Sequence, residues 1–219
     1  MHRARQRAER RTREQRQRLA HEAARLMAEG GIRDYRLAKD KAAERLGIHD
    51  DASLPRNSEI EEALREYQRL FRGDAQAGAL RERREAALQA LDFFARFQPR
   101  LVGRVLEGTA DAHTPVTLHL HDDDEDEIAR FLVDAHIPAE AGSRRLRLDR
   151  QRELEAPVWA FSADGLAFEL TVLPLDTLRQ APLSGLDERP MQRASANQLR
   201  LLLAADDDAA TSVEHEAVR

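Results

Sequence analysis

The chain has 219 residues, a formal net charge of −5, 42% hydrophobic residues and no cysteine. This length suits one medium domain with a helical extension or two small domains, and the net negative charge argues against a protein that coats nucleic acid along its whole length. Disulfide and thiolate chemistry are excluded, and the sequence contains neither a run of roughly 20 apolar residues nor a signal-peptide core, so we expect a cytoplasmic protein that does not enter a membrane.

Residues 1–18 form a strongly basic segment. Eight arginines lie between residues 2 and 18, where Glu9 and Glu14 are the only acids. Runs of like charge are typically solvated and repel one another, so we expect a mobile arm. Contact with RNA, DNA or an acidic partner is the alternative. At the opposite end, residues 206–219 are predicted to form an acidic tail.

Residues 19–78 are predicted to form a helical module. Its opening, RLAHEAARLMAEGGIRDYRLAKDKAAERLGI, has apolar residues at helical spacing on both sides of Gly30 and Gly31, which predicts two helices joined by a glycine turn. The segment resembles the first two helices of tetracycline-repressor-type regulators, a family whose next helix enters the major groove of DNA. Here Asp50 and Asp51 follow, and phosphates would repel them. We interpret the module as a packing surface that can form a homodimer, with a DNA-binding regulator as an alternative.

Two further helices are predicted before the chain changes character. The first is expected to start at Ser58 as N-cap, with Glu61 three residues later completing a capping box. The glycines at the ends of residues 73–78 then mark a break. The second helix runs over Leu80–Phe97 and is stopped by Pro99.

The region 79–205 predicts a mixed domain of strands and helices. Alternating apolar and polar residues indicate half-buried strands, and an Asp-Gly pair between two such runs indicates a hairpin. The predicted elements are a strand over 116–121, a helix over 125–136, a strand over 144–148, a hairpin over 158–173 and a helix over 195–205. Helices followed by this β–α–β–β order give the fold class α+β.

The stretch LVGRVLEGTADAHTPVTLHLH, residues 101–121, carries the most informative motif. A glycine, a Gly-Thr-Ala five residues later and a strand after them match the frame of the nucleotidyltransferase superfamily, in which Gly-Ser, Arg-Gly and Asp-x-Asp follow one another. The resemblance covers residues 80–175 and implies a mixed sheet with flanking helices. It also implies a nucleotide-binding turn made by Gly103, Arg104, Gly108 and Thr109.

The residues that hold magnesium in that superfamily are missing. Alternate residues of a strand face the same way, so Asp-x-Asp presents two carboxylates to a pair of metal ions. In this chain Pro115 and Thr117 take those positions, and neither is a useful ligand for a hard cation. Glu169 suits the third carboxylate, and Arg104 replaces the serine, where it could either grip a phosphate or fill and close the site. We therefore predict a protein that is inactive as a magnesium-dependent transferase.

A substituted metal site is the alternative for an active enzyme. His119 and His121 share a strand face with Thr117, and together with Glu169 they could hold zinc or manganese. Two histidines on an exposed strand face are also common as plain surface residues.

The expected function is therefore that of a catalytically degenerate nucleotidyltransferase-like protein with a nucleotide-binding or partner-binding, regulatory role. The sequence assigns it no cofactor. The plainest alternative treats Gly103 and Gly108 as turn glycines of an unrelated α+β domain.

Overall fold

The computed structural model describes residues 2–48, 50–71, 73–149, 151–184 and 189–217. Within these ranges the chain divides into two units, one ending at Gln76 and one starting at Ala77. None of the helices in the described part of the chain combines the length and the hydropathy of a membrane-spanning segment.

The first unit is a helical bundle. It consists of α1 (His2–Gly30), α2 (Tyr35–Leu46), a 3₁₀ turn (Asp51–Ser53) and α3 (Asn57–Phe71). Small residues on the inner face of α1 let the other helices approach closely, as at Ala23, Ala24 and the α2 residues Ala38 and Ala42, all of which are fully buried.

Two features of this unit differ from the sequence expectations. Residues 2–18, expected as a mobile arm, lie in the same continuous helix as the rest of α1, and the Arg16 guanidinium donates a 2.6 Å hydrogen bond to the carbonyl of Ala52. The capping box at Ser58 is wrong because α3 begins at Asn57, which places the N-cap at Arg56, two residues earlier. The backbone N–H of Arg56 donates to Glu59 at 2.7 Å, while the buried Glu61 accepts from the Tyr35 hydroxyl at 2.5 Å.

The second unit is a five-stranded sheet with helices on one side, so the α+β prediction is confirmed. Its elements are α4 (Gly73–Phe93, of which residues from Ala77 belong here), β1 (Arg100–Val102), α5 (Arg104–Glu107), β2 (Val116–His121), α6 (Glu125–Asp134), β3 (Glu140–Arg147), β4 (Glu153–Ala163), β5 (Leu166–Leu173) and α7 (Ala196–Ala217). The strand order is β1-β2-β5-β4-β3, in which β2 and β5 are parallel and the other neighbours are antiparallel.

The two faces of the sheet differ in chemistry. Even-numbered residues of β2 and β5, such as Leu118 and Leu170, pack into one apolar core with α4, α6 and α7. The odd-numbered residues point to the other side because side chains alternate along a strand. We call that side the polar face; it carries Arg100, Thr117, His119, His121, Arg144, Glu169 and Thr171.

Several boundaries in this unit were not predicted. α4 begins at Gly73 and includes Gly78, so the expected glycine break lies inside a helix. Strand β1 was missed because it has only three residues. Helix α7 continues beyond residue 205 to Ala217, and the first residues of the expected acidic tail are ion-paired: Asp206 accepts from Arg84 at 2.5 Å, and Asp207 pairs with Arg81.

Candidate functional site

The glycine turn of the motif joins β1 to β2 at one end of the polar face. Gly103 follows β1 directly and has φ 72° and ψ −155°, a conformation that favours glycine, although a Cβ there would meet no atom within 4 Å. The short helix α5 then ends at Gly108, with φ 83°, whose N–H donates to the carbonyl of Arg104. Both glycines are therefore required by the backbone rather than by a lack of space.

Two buried arginines of α4 donate hydrogen bonds to the backbone of this turn. The Arg83 guanidinium donates to the carbonyls of Thr114, at 2.8 Å, and Ala112, at 2.5 Å. Arg84 donates to two carbonyls within α5, at 3.2 and 3.4 Å. The two guanidiniums supply donors to four carbonyls of this loop, including those of the buried residues Val105 and Thr114, and so they fix the loop between β1 and β2.

Arg104 closes the turn instead of reaching outward. Its guanidinium donates to the carbonyl of Thr109 at 2.9 Å and lies 3.6 Å from the Asp111 carboxylate. Asp111 also accepts from the N–H of His113 and from the Thr114 hydroxyl; although burial opposes it, these bonds and the nearby Arg104 charge lower the pKa of Asp111. Thr109 is fully buried. Arg104 and Thr109, expected to bind nucleotide, thus stabilise the turn, and Gly103 borders the polar face.

Thr117 and Glu169 are neighbours in the sheet. Thr117 lies opposite Val102 of β1 on one side and opposite Glu169 of β5 on the other, so three neighbouring strands contribute to one row. Both Thr117 and Glu169 are partly exposed. Glu169 accepts a 2.7 Å hydrogen bond from Arg144, which neutralises the carboxylate at the position expected for the third metal ligand.

His119 and His121 lie inside the protein. Their exposed fractions are 2% and 1%, so the interpretation of both histidines as surface residues is wrong. Burial, and then the charges of His121, Arg193 and Arg144, lower the pKa of His119 to about 3. Burial also lowers the pKa of His121 to about 4, although its Nδ1 bonds the carbonyl of Gln98 at 2.9 Å. Both imidazoles are neutral at pH 7.

The structure does not assemble the predicted metal site. Glu169 is in register with Thr117, which places His119 two residues and His121 four residues further along the sheet. Four residues of strand span about 13 Å, whereas zinc binds each ligand atom at about 2 Å. Within the described ranges no three His, Asp or Glu side chains could hold a metal ion.

Arg83, Arg84, Arg144 and Thr171 were not predicted from the sequence as residues of this site. Arg83 and Arg84 occupy inward positions of an amphipathic helix, and that placement was the available signal. Arg144 and Thr171 gave none, because their roles depend on the pairing of strands distant in the sequence. Comparison with models of known protein families and with curated proteins finds no match to this chain.

Proposed function

We propose that the second unit is a nucleotidyltransferase-like scaffold that has lost its metal site and binds a nucleotide in a regulatory role. The observation that carries the proposal is the row formed by Val102, Thr117 and Glu169, with the glycine turn at Gly103 directly beside it. This order and register suit the superfamily frame, in which a glycine turn, a metal-binding strand and a third carboxylate meet at one place.

The chemistry of the row favours binding over catalysis. Pro115 and Thr117 offer no carboxylate, and the charge of Glu169 is balanced by Arg144. A two-metal mechanism needs several negative charges to attract magnesium and to bridge the reacting oxygens. A bound nucleotide would therefore be held without being activated.

The electrostatics of the polar face favour an anionic ligand. Arg144 is partly exposed beside Glu169, and the charges of Arg100 and Arg193 act on the neighbouring imidazoles. Cations that line one surface raise the local concentration of anions. The phosphates of a nucleotide supply the complementary charge.

A DNA-reading role receives less support from the first unit. The helix that follows α2 is α3, and its Glu59, Glu62 and Glu66 side chains line a groove with α1. Three carboxylates on the helix that would enter the major groove repel phosphates.

Calorimetric titration with ATP tests the proposal, with one arm containing magnesium and one containing EDTA. We expect ATP to bind equally well in both arms, to remain unconverted, and to bind at least fivefold more weakly to Arg144→Gln. Arg130→Gln is the matched control, because Arg130 is an exposed arginine of α6 that pairs with Asp124 and Glu127. Absence of ATP binding, equal weakening in both variants, or nucleotidyl transfer with magnesium would contradict the proposal.

A further inference from the structure

Three polar side chains lie next to one another on the polar face, just behind the partly exposed row. His119 of β2 and Thr171 of β5 are register partners, and His121 follows two residues along β2. All three are at least 98% buried. Thr117 precedes His119, and Glu169 precedes Thr171, by two residues on the same strand, and both Thr117 and Glu169 are partly exposed.

Each of these side chains has a buried polar atom without a hydrogen-bond partner among the described residues. The atoms are Nδ1 of His119, Nε2 of His121 and Oγ1 of Thr171. The Nδ1–H of His121 donates to the carbonyl of Gln98, which leaves its Nε2 on the other side of the ring. Buried polar atoms normally have a hydrogen-bond partner, so three unpartnered atoms on two adjacent strands indicate that a ligand supplies the partner.

The charges around the cluster define the kind of partner. The charges of Arg144 and Arg193 act on His119, and those of Arg100 and Arg193 act on His121. No charged side chain reaches the polar face from β4, which contributes Ala156, Val158 and Ala160 there.

The acids of the polar face leave this positive charge in excess. Glu169 is paired with Arg144, and Glu140 lies on the edge strand β3. The β3 backbone is three strand spacings, about 14 Å, from His119, and unlike Arg144 of the same strand Glu140 is not among the charges that act on His119 or His121. A metal cation would be repelled, whereas an oxyanion would accept hydrogen bonds and balance the excess charge.

We propose that His119, His121 and Thr171 form a binding site for one phosphate group, which Arg193 and Arg100 complement in charge. This inference rests on the proposed function, because it assigns a place to one phosphate of the nucleotide. The Thr171 hydroxyl donates to a phosphate oxygen, and Nδ1 of His119 does so when it carries the ring proton. Nε2 of His121 donates only when the imidazole is protonated, because its Nδ1–H already donates to the carbonyl of Gln98.

Phosphate binding at this place is linked to protonation. In the free protein burial and the neighbouring arginines keep the pKa of His119 at about 3 and that of His121 at about 4. A bound dianion favours the charged imidazolium and raises both pKa values. Binding therefore takes up protons and becomes tighter as the pH falls from 7 to 5. Sulfate is a suitable probe because it remains a dianion throughout this range.

The experiment uses the full chain, inorganic sulfate and phosphate as probes, and imidazole ¹⁵N NMR together with thermal unfolding. We expect saturable shifts of the ring nitrogens of His119 and His121, with those of the exposed His136 unchanged, and affinity for sulfate that rises at least fivefold from pH 7 to pH 5. Thr171→Val should raise the unfolding temperature of the free protein, because it removes an unsatisfied hydroxyl, and yet weaken sulfate binding at least fivefold. His136→Asn is the control.

Two results would overturn this inference. One is non-saturable shifts that affect all histidines alike. The other is a lowered unfolding temperature of Thr171→Val without ligand, which would mean that a bound water already satisfies the hydroxyl. ATP binding that depends on Arg144 and not on Thr171 would overturn the phosphate site alone. Sulfate binding that depends on Thr171 without any ATP binding would overturn the proposed function alone.

Discussion

Replacing Arg83 with methionine should destabilise the second unit strongly. Methionine keeps much of the aliphatic stem but removes the guanidinium, which donates to the carbonyls of Ala112, Thr114 and Ala79 at 2.5, 2.8 and 3.0 Å. The Ala79 carbonyl also lies within α4, where a helical N–H can satisfy it, and Ala112 is exposed, so water can satisfy its carbonyl. Only the carbonyl of the buried Thr114 is left without a donor. A buried unsatisfied group costs about 1–3 kcal/mol, which is the destabilisation that we expect for Arg83→Met.

Urea denaturation followed by tryptophan fluorescence measures this effect. Trp159 is the single tryptophan of the chain and lies on β4, so it reports on the second unit. The control is Arg130→Met, an exposed arginine whose ion pairs contribute less than about 1 kcal/mol. If Arg83→Met costs no more than Arg130→Met, the buried guanidinium does not stabilise the loop between β1 and β2.

Three further predictions concern the turn and the buried histidines. Gly108→Ala should destabilise the protein by about 1–2 kcal/mol because φ is 83° at this position, whereas Gly78→Ala within α4 should stabilise it by about 0.5–1 kcal/mol. Shifts of the urea midpoint in the same direction for both variants would contradict this prediction. Asp111→Asn should destabilise at neutral pH but converge with the wild type in acid, because a lowered pKa contributes stability above the unfolded value and loses it as the pH falls; a constant difference between pH 7 and 2 would refute it. His119 is protonated in the unfolded chain below about pH 6.5 but in the folded chain only near its pKa of about 3, so this imidazole alone should lower the free energy of unfolding by about 2 kcal/mol from pH 7 to 5. His119→Asn should remove that part of the pH dependence, and an unchanged slope would count against the buried imidazole.

Periodicity was enough to predict the main elements of the second unit. The alternation over 116–121 predicted a strand, and β2 is Val116–His121. The Asp-Gly pair predicted a hairpin, and Asp164-Gly165 joins β4 to β5. Element ends were less accurate, as at α7, because ion pairs such as Arg84 with Asp206 extend a helix through contacts that no local pattern encodes.

The site depended on long-range pairing, which a single sequence does not contain. Alternation alone placed His119 and His121 on one face but left open whether that face is covered, and the structure buries both. Glu169 was correctly placed on a strand, but its partner Arg144 lies 25 residues away on β3. The sequence left open whether Arg104 binds a phosphate or fills the site, and its hydrogen bond to the carbonyl of Thr109 favours the second role.

Restoring the two missing carboxylates tests the central claim most directly. Pro115→Asp with Thr117→Asp should create a metal site next to Glu169, provided that Arg144→Gln releases that carboxylate, and the matched control carries asparagine at both positions in the same background. Electron paramagnetic resonance with Mn²⁺ should then show saturable binding in the aspartate variant and none in the wild type or the asparagine variant. Equal Mn²⁺ binding by all three proteins, or none by the aspartate variant, would contradict a nucleotidyltransferase-like scaffold that has lost its metal ligands.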